Sequence, residues 1–266
     1  MPLSQLIVLA IIQGLTEFLP ISSSGHLALV DELTGWADQG VLIDVAIHVG
    51  SLFAVLIYFR KDVGALIGGS MALLRGRMTD AGRLALYLMA ASVPIFIVGF
   101  VVVSTGMVDG LRGVATIAWA NMIFAVLLYW SDRAGATTKT LAEMSWGQAV
   151  IVGISQAAAV IPGASRSGVT MMAARFLGFD RREGARFSML LAIPTILGAG
   201  AAATLELAET GNVTLQSDAV IAALLSFLVA WAAIAVFMRL LESMSLTPFV
   251  IYRVVLGAAL LLWVYL

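Results

Sequence analysis

The chain has 266 residues, 61% apolar and 12% charged, with a net charge of -1 and no cysteine, and its mean hydropathy is +1.01. Roughly 160 apolar residues exceed the ~120 that six spans of ~20 residues would use, so a soluble domain is excluded and some apolar segments enter the bilayer without crossing it. No basic stripe accompanies the balanced charge, which excludes a nucleic-acid partner; the missing cysteines exclude a disulfide framework, a thiol nucleophile, an iron-sulfur cluster and a Cys-ligated zinc.

In chain order, the opening MPLSQLIVLAIIQG has no basic n-region and reads as mature structure, not a secretory signal. Its apolar stretch, 3–21, is stopped by LPISSSGH at 19–26 and resumes at 27–30. Spans are expected near 41–59, 84–103 and 114–130. A second interrupted stretch, 148–162, is stopped by IPGASRSG at 161–168 and resumes over 169–178. Three further spans are expected near 186–204, 219–238 and 249–266. Loosened backbone at membrane depth is tolerated only where it faces protein or a water-filled cavity. Both interrupted segments therefore read as re-entrant helix-loop-helix hairpins. The expected fold is an all-α polytopic membrane protein with six spans and two hairpins, forming one integral membrane domain over 1–266.

Lys and Arg set the orientation, because cytoplasmic loops accumulate them. The first 59 residues contain none, whereas the loop at 60–83 carries Arg60, Lys61, Arg75, Arg77 and Arg83. Placing that loop inside puts 104–112 and 205–217 outside, and 131–147, the Arg181/Arg182/Arg186 cluster and 240–248 inside. Both termini then lie outside, and the two hairpins enter from opposite sides. That arrangement is an inverted-topology repeat, with copies over about 1–131 and 140–266. Gly14-Leu15-Thr16-Glu17 matches Gly153-Ile154-Ser155-Gln156, Pro20 matches Pro162, and each copy ends in Ser-Gly at Ser24-Gly25 and Ser167-Gly168.

Ionisable groups at bilayer depth are costly and mark function. Here they are Glu17, His26, Asp44, His48 and Arg166. Gln13 and Glu17, spaced i, i+4, share one helix face. The first break adds Ser22, Ser23, Ser24 and His26; the second offers Gly163, Ser165, Arg166, Ser167 and Thr170. Arg166 is a planar donor fork suited to phosphate, and helices restarting at Ser24-Gly25 and Ser167-Gly168 would aim free N–H groups at an anion. A phosphate or diphosphate on an amphiphile whose tail stays in lipid fits this donor set. Neither GxxxxGK[ST] nor GxGxxG is present, so no nucleotide cradle is expected.

Structural readings stand beside these. The serines of 22–24 read as well as interhelical glue; the alternatives for the others are Arg166 as a cytoplasmic anchor, Glu17 as a structural partner of Arg166, and His26 as an interfacial cap. Asp44 and His48, also i, i+4, read either as a coupled pair or as a helix-start charge and an interfacial His, and stay outside the catalytic set. Asn121 and Tyr87 read as buried hydrogen-bond glue. Trp119, Trp130, Trp146, Trp231 and Trp263 fit interface belts or lipid-facing packing.

The stretch QGLTEFLPISSSGH (13–26) resembles the (Glu/Gln)-x-x-x-Glu motif, Ser-rich loop and His of the undecaprenyl-diphosphate phosphatase (bacitracin-resistance) family, and PGASRSGVT (162–170) resembles its Pro-Gly-x-Ser-Arg-Ser-x-x-Thr motif. The likeness continues through IDVAIHVGSLFAVL (43–56) and TPFVIYRVVLGAA (247–259). It implies removal of the terminal phosphate of undecaprenyl diphosphate in the bacterial cytoplasmic membrane, from a site opening to the extracytoplasmic side. The partners are then a polyprenyl diphosphate and membrane lipids. Phosphoryl transfer needs charge neutralisation, an in-line nucleophile and a proton route. Arg166 with Ser165, Ser167 and Thr170 is expected to hold phosphate; Ser23 or a water is the nucleophile, and His26 its base. Glu17 is either a ligand for a divalent cation, Mg²⁺ or Ca²⁺, or a proton-transfer group. Gln13 in place of Glu puts in doubt any mechanism requiring two carboxylates there. The competing reading is a transporter or flippase of a phosphorylated lipid on the same repeat.

Overall fold

The computed structural model describes residues 1–37, 39–111, 113–134, 138–209 and 213–266. Arg112, 135–137 and 210–212, which fall in three of the connections assigned to one side or the other, lie outside the described residues. The helices are α1 (Leu3–Thr16), α2 (Ser23–Thr34), α3 (Val41–Tyr58), α4 (Arg60–Leu74), α5 (Asp80–Ser104), α6 (Val108–Leu111), α7 (Val114–Ala134), α8 (Trp146–Ala157), α9 (Arg166–Phe176), α10 (Arg181–Glu209), α11 (Val213–Leu240) and α12 (Thr247–Tyr265). Among the described residues the only β-type pairing is an isolated bridge between Lys139 and Phe179. The chain is an all-α, multi-pass membrane protein.

Among the described residues, five helices are long and apolar enough to cross a membrane: Val41–Tyr58, Asp80–Ser104, Val114–Ala134, Leu215–Leu240 and Thr247–Tyr265. Each covers an expected span. The remaining one, 186–204, lies within the 29 residues of α10. The interrupted segments behave differently. With 14 residues in α1 and 12 in α8, at 1.5 Å per residue these helices reach about 21 and 18 Å, short of a ~30 Å hydrocarbon core. One correction concerns 60–83, expected as a loop: 60–74 is helix α4, which follows α3 after Phe59 alone.

Local chemistry sets the helix starts. Thr79 Oγ1 accepts from Gly82 N at the start of α5, Ser145 and Gln148 form a capping box at α8, and Pro248 occupies the first turn of α12. In the packing, α1 lies on α11 and α8 on α5, while α3 meets α10 and α7 meets α12. Gly14 and Gly153 make the first two contacts possible. A Cβ at Gly14 would sit 2.7 Å from Val229 Cβ, and one at Gly153 would sit 2.7 Å from the Ala91 backbone.

One end of the bundle is tied by ion pairs. Buried Asp132 (α7) accepts from Arg175 Nε at 3.2 Å, Arg181 Nε at 2.6 Å and Leu246 N at 3.0 Å. Asp62 pairs with Arg186, and Arg182 with Glu242. All the connections expected inside thus meet at this end. At the other end the N-terminal amine pairs with Asp218 at 3.0 Å.

Candidate active site

Both breaks share one local geometry. Helix α1 ends at Thr16, and α2 starts at Ser23 after Ser22, whose φ is +73°; α9 starts at Arg166 after Ser165, whose φ is +72°. Left-handed backbone at a non-glycine residue costs about 1–3 kcal/mol and clusters at functional sites. Ser22 Oγ accepts from Gly25 N at 3.4 Å and lies 3.4 Å from Ser24 Oγ. Ser165 Oγ accepts from Gly168 N at 3.1 Å and lies 3.2 Å from Ser167 Oγ. In this register Ser23 stands where Arg166 stands in the other loop.

Glu17 joins them. Its Oε1 accepts from Arg166 Nη2 at 2.7 Å; its Oε2 accepts from Ser23 Oγ at 2.6 Å and from Gln13 Nε2 at 3.0 Å. His48 Nε2 stands 3.6 Å from Oε2, while its Nδ1 donates to Asp44 O at 2.7 Å. Arg166 is held from its other side by Ser188 O at 3.1 Å and stands over the buried Phe18 ring at 5.7 Å. Glu17, Ser23, His48 and Arg166 face a cavity of about 340 Å³ that also takes in Ser22, Ser24, Asp44, Ser165 and Thr195, with Val45, Ile95 and Ile196 as apolar wall. A second cavity, about 430 Å³, shares Ser24, Asp44 and His48 with it and extends to Glu32, Gln39, Val103 and Leu111. Through these shared residues the two cavities adjoin between Glu17 and the far end of α5.

The expected site residues fall in three places. Glu17, Ser22, Ser23, Ser24, Ser165 and Arg166 line the inner cavity. Gln13, Gly163, Ser167 and Thr170 stand behind it. Ser167 Oγ donates to Leu19 O at 2.8 Å, Thr170 Oγ1 donates to Arg166 O at 2.9 Å and lies 2.7 Å from Ser188 Oγ, and Gly163, at φ +93°, lies against the Ile117 carbonyl. His26 goes elsewhere: its Nδ1 donates to Ser22 O at 2.7 Å, and its Nε2 meets Tyr252 Oη at 2.6 Å with the rings stacked. The structure does not bring His26 to Ser23; the acceptor beside that hydroxyl is Glu17.

Sequence reasoning left Asp44 and His48 outside the site and missed Ser188, Thr195 and Arg253. Only the i, i+4 spacing of Asp44 and His48 at membrane depth carried a usable signal. A divalent cation fits one feature. Gln13 is fully buried, and its Oε1 has no hydrogen-bond partner beside the Glu17 carboxylate. Among the described residues no group of three His, Asp or Glu side chains is poised for a metal, so further ligands would have to be phosphate and water oxygens, which Mg²⁺ and Ca²⁺ accept.

Two broken helices that meet at a carboxylate, a hydroxyl and a guanidinium inside an apolar bundle define a class: intramembrane proteins that handle an anionic headgroup attached to an apolar tail. The chain belongs to the family described as bacitracin resistance protein BacA, whose model matches residues 6–259. A protein named undecaprenyl-diphosphatase from Jannaschia sp. (strain CCS1) is 50% identical over 266 residues, covering 100% of both chains. One of the same name from Maricaulis maris (strain MCS10) is 52% identical over 266 residues, covering 99% of each.

Proposed function

We propose that this chain hydrolyses undecaprenyl diphosphate to undecaprenyl phosphate and inorganic phosphate, recycling the lipid carrier for cell-wall synthesis. One observation carries the reading: Glu17 holds a hydroxyl, Ser23, and a guanidinium, Arg166, on its two oxygens at the wall of one cavity. A transporter needs an anion site but has no use for a hydroxyl hydrogen-bonded to a carboxylate. The names of the relatives favour the phosphatase as well.

In this reading Arg166, with Ser165 and Ser24, binds the phosphate oxygens and neutralises their charge. Ser23 Oγ, or a water in its place, attacks the terminal phosphorus in line. Its proton passes to Glu17 Oε2, the bridging P–O bond breaks, and undecaprenyl phosphate leaves. With Ser23 as nucleophile, water then cleaves the phosphoserine and releases inorganic phosphate. His26, expected as base, acts in the present arrangement only on Ser22 and Tyr252. A divalent cation held by Glu17 and Gln13 Oε1 would add charge neutralisation on the phosphate oxygens.

The placing follows the same logic. The protein sits in the bacterial cytoplasmic (inner) membrane with the Asp132–Arg181 end inside and the site open to the extracytoplasmic side. The Lys and Arg distribution and the second cavity's extension to Val103 and Leu111, at the opposite end of α5 from Asp80, support this. An inverted repeat, about 1–131 with 140–266, accounts for the likeness of the two loops and of the α1–α11 and α8–α5 contacts, with α4 as an addition to the first copy.

Purified protein in detergent, given undecaprenyl diphosphate, is expected to release phosphate and accumulate undecaprenyl phosphate. Folded protein that releases none overturns the reading.

A further inference from the structure

Arg253, within α12, is fully buried, and its guanidinium donates to backbone carbonyls. Nη1 donates to Pro20 O at 3.2 Å, Nη2 to Gly163 O at 2.8 Å and Ala164 O at 3.0 Å, and Nε to Asn121 O at 3.2 Å. Burying a cation on neutral acceptors is costly, and a helix facing lipid has cheaper residues for that position. The location of the carbonyls accounts for it.

Pro20 stands two residues before Ser22, and Gly163 two residues before Ser165. These serines are the only non-glycine residues at positive φ among the described residues. Such backbone persists only where its surroundings over-determine it. A single guanidinium therefore grips equivalent points of both loops, each three residues ahead of the group that reaches Glu17: Ser23 in one, Arg166 in the other. Gly168 makes room for it, since a Cβ there would stand 2.9 Å from Arg253 Nη1. The diverging N–H groups of a planar fork can span the two loops; a single ammonium cannot. A second, weaker tie runs beside it, from Ser167 Oγ to Leu19 O.

We infer that Arg253 is a positioning residue for phosphoryl transfer: it sets the spacing of the two loops, and so the placing of Ser23 against Arg166, without touching substrate. The inference rests on the phosphatase reading.

The test compares purified wild type, Arg253→Lys and Arg253→Ala, each checked for folding by size exclusion and thermal unfolding in detergent. Folded variants are expected to lose about 10- to 100-fold in kcat, with a smaller change in KM, since displacement by a fraction of an ångström to one ångström costs that much at the reacting atoms. Guanidinium ion added to Arg253→Ala restores part of the loss. In a double variant with Ser167→Ala the losses in kcat are not additive, because both ties hold one spacing. Folded variants with normal kcat, or with additive losses and no guanidinium rescue, overturn the assignment. So does failure of both variants to fold, which would make Arg253 a folding determinant only. Absence of turnover in the wild type, by contrast, would be a failure of the phosphatase reading itself.

Discussion

Ser23 and Arg166 occupy equivalent places in two loops of the chain and bond different oxygens of the same carboxylate, Glu17, at 2.6 and 2.7 Å. A hydroxyl and a guanidinium are thereby fixed relative to each other, which is the pre-organisation that the proposed phosphoryl transfer needs.

Arg166→Lys should be far from conservative. Lysine can reach Glu17 or a phosphate but not both together with Ser188 O, and losing a charged contact costs on the order of 2–3 kcal/mol or more. Steady-state kinetics should show kcat/KM down by tens-fold or more. Near-normal turnover in Arg166→Lys and Arg166→Ala returns Arg166 to the role of a topological anchor.

Ser23→Ala separates the two nucleophiles. If Ser23 attacks, the variant loses turnover while still binding substrate, and rapid quenching of the wild type traps a phosphoserine at 23. A reduced but measurable rate, with Glu17→Ala worse, assigns the attack to water.

Much of this was legible beforehand. Apolar runs mark the spans, and Pro20 and Pro162 mark the breaks because each stands beside a cluster of Gly and Ser that weakens the helix further, whereas Pro94 and Pro194, without such clusters, lie inside α5 and α10. Glu17, Ser23 and Arg166 stood out because charge and hydroxyls at membrane depth have few structural uses. The rest depends on partners far away in the chain. Arg253 meets backbone carbonyls, which carry no residue signal, and Asp132 meets Arg175 and Arg181 more than 40 residues on. His26 turns towards Tyr252, 226 residues away, so its nearness to Ser23 in sequence gave the wrong partner. Helix α4 read as a loop because Arg60, Lys61 and Asp62 open it and Gly64, Gly68 and Gly69 lower its helical propensity.

Asp132→Asn should destabilise the protein by about 3–5 kcal/mol, since it removes the carboxylate that Arg175, 1% exposed, shares with Arg181. Thermal unfolding in detergent should show a clear drop, with kcat per folded molecule near normal because Asp132 lies at the tied end and not at the cavity. An unchanged unfolding temperature contradicts this.

Gly14→Val and Gly153→Val probe the repeat. Both side chains would collide with a facing helix, α11 in one case and α5 in the other, and overpacking of this kind costs about 1–3 kcal/mol. Parallel losses in unfolding midpoint are expected; a large effect at one position and none at the other argues against equivalent packing.

The chain has no cysteine, so a single one at position 76 reports orientation cleanly. An impermeant thiol reagent applied to intact cells should leave it unlabelled. Labelling there reverses the topology and moves the cavity to the cytoplasmic side.

The most direct test of the whole account is phosphate release from undecaprenyl diphosphate by wild type and Glu17→Ala, purified side by side in detergent. Glu17 bonds both loops and takes the proton in the proposed mechanism, so the wild type should turn over and the variant should fall by about 100-fold or more. A folded Glu17→Ala protein with turnover near that of the wild type would contradict the site described here.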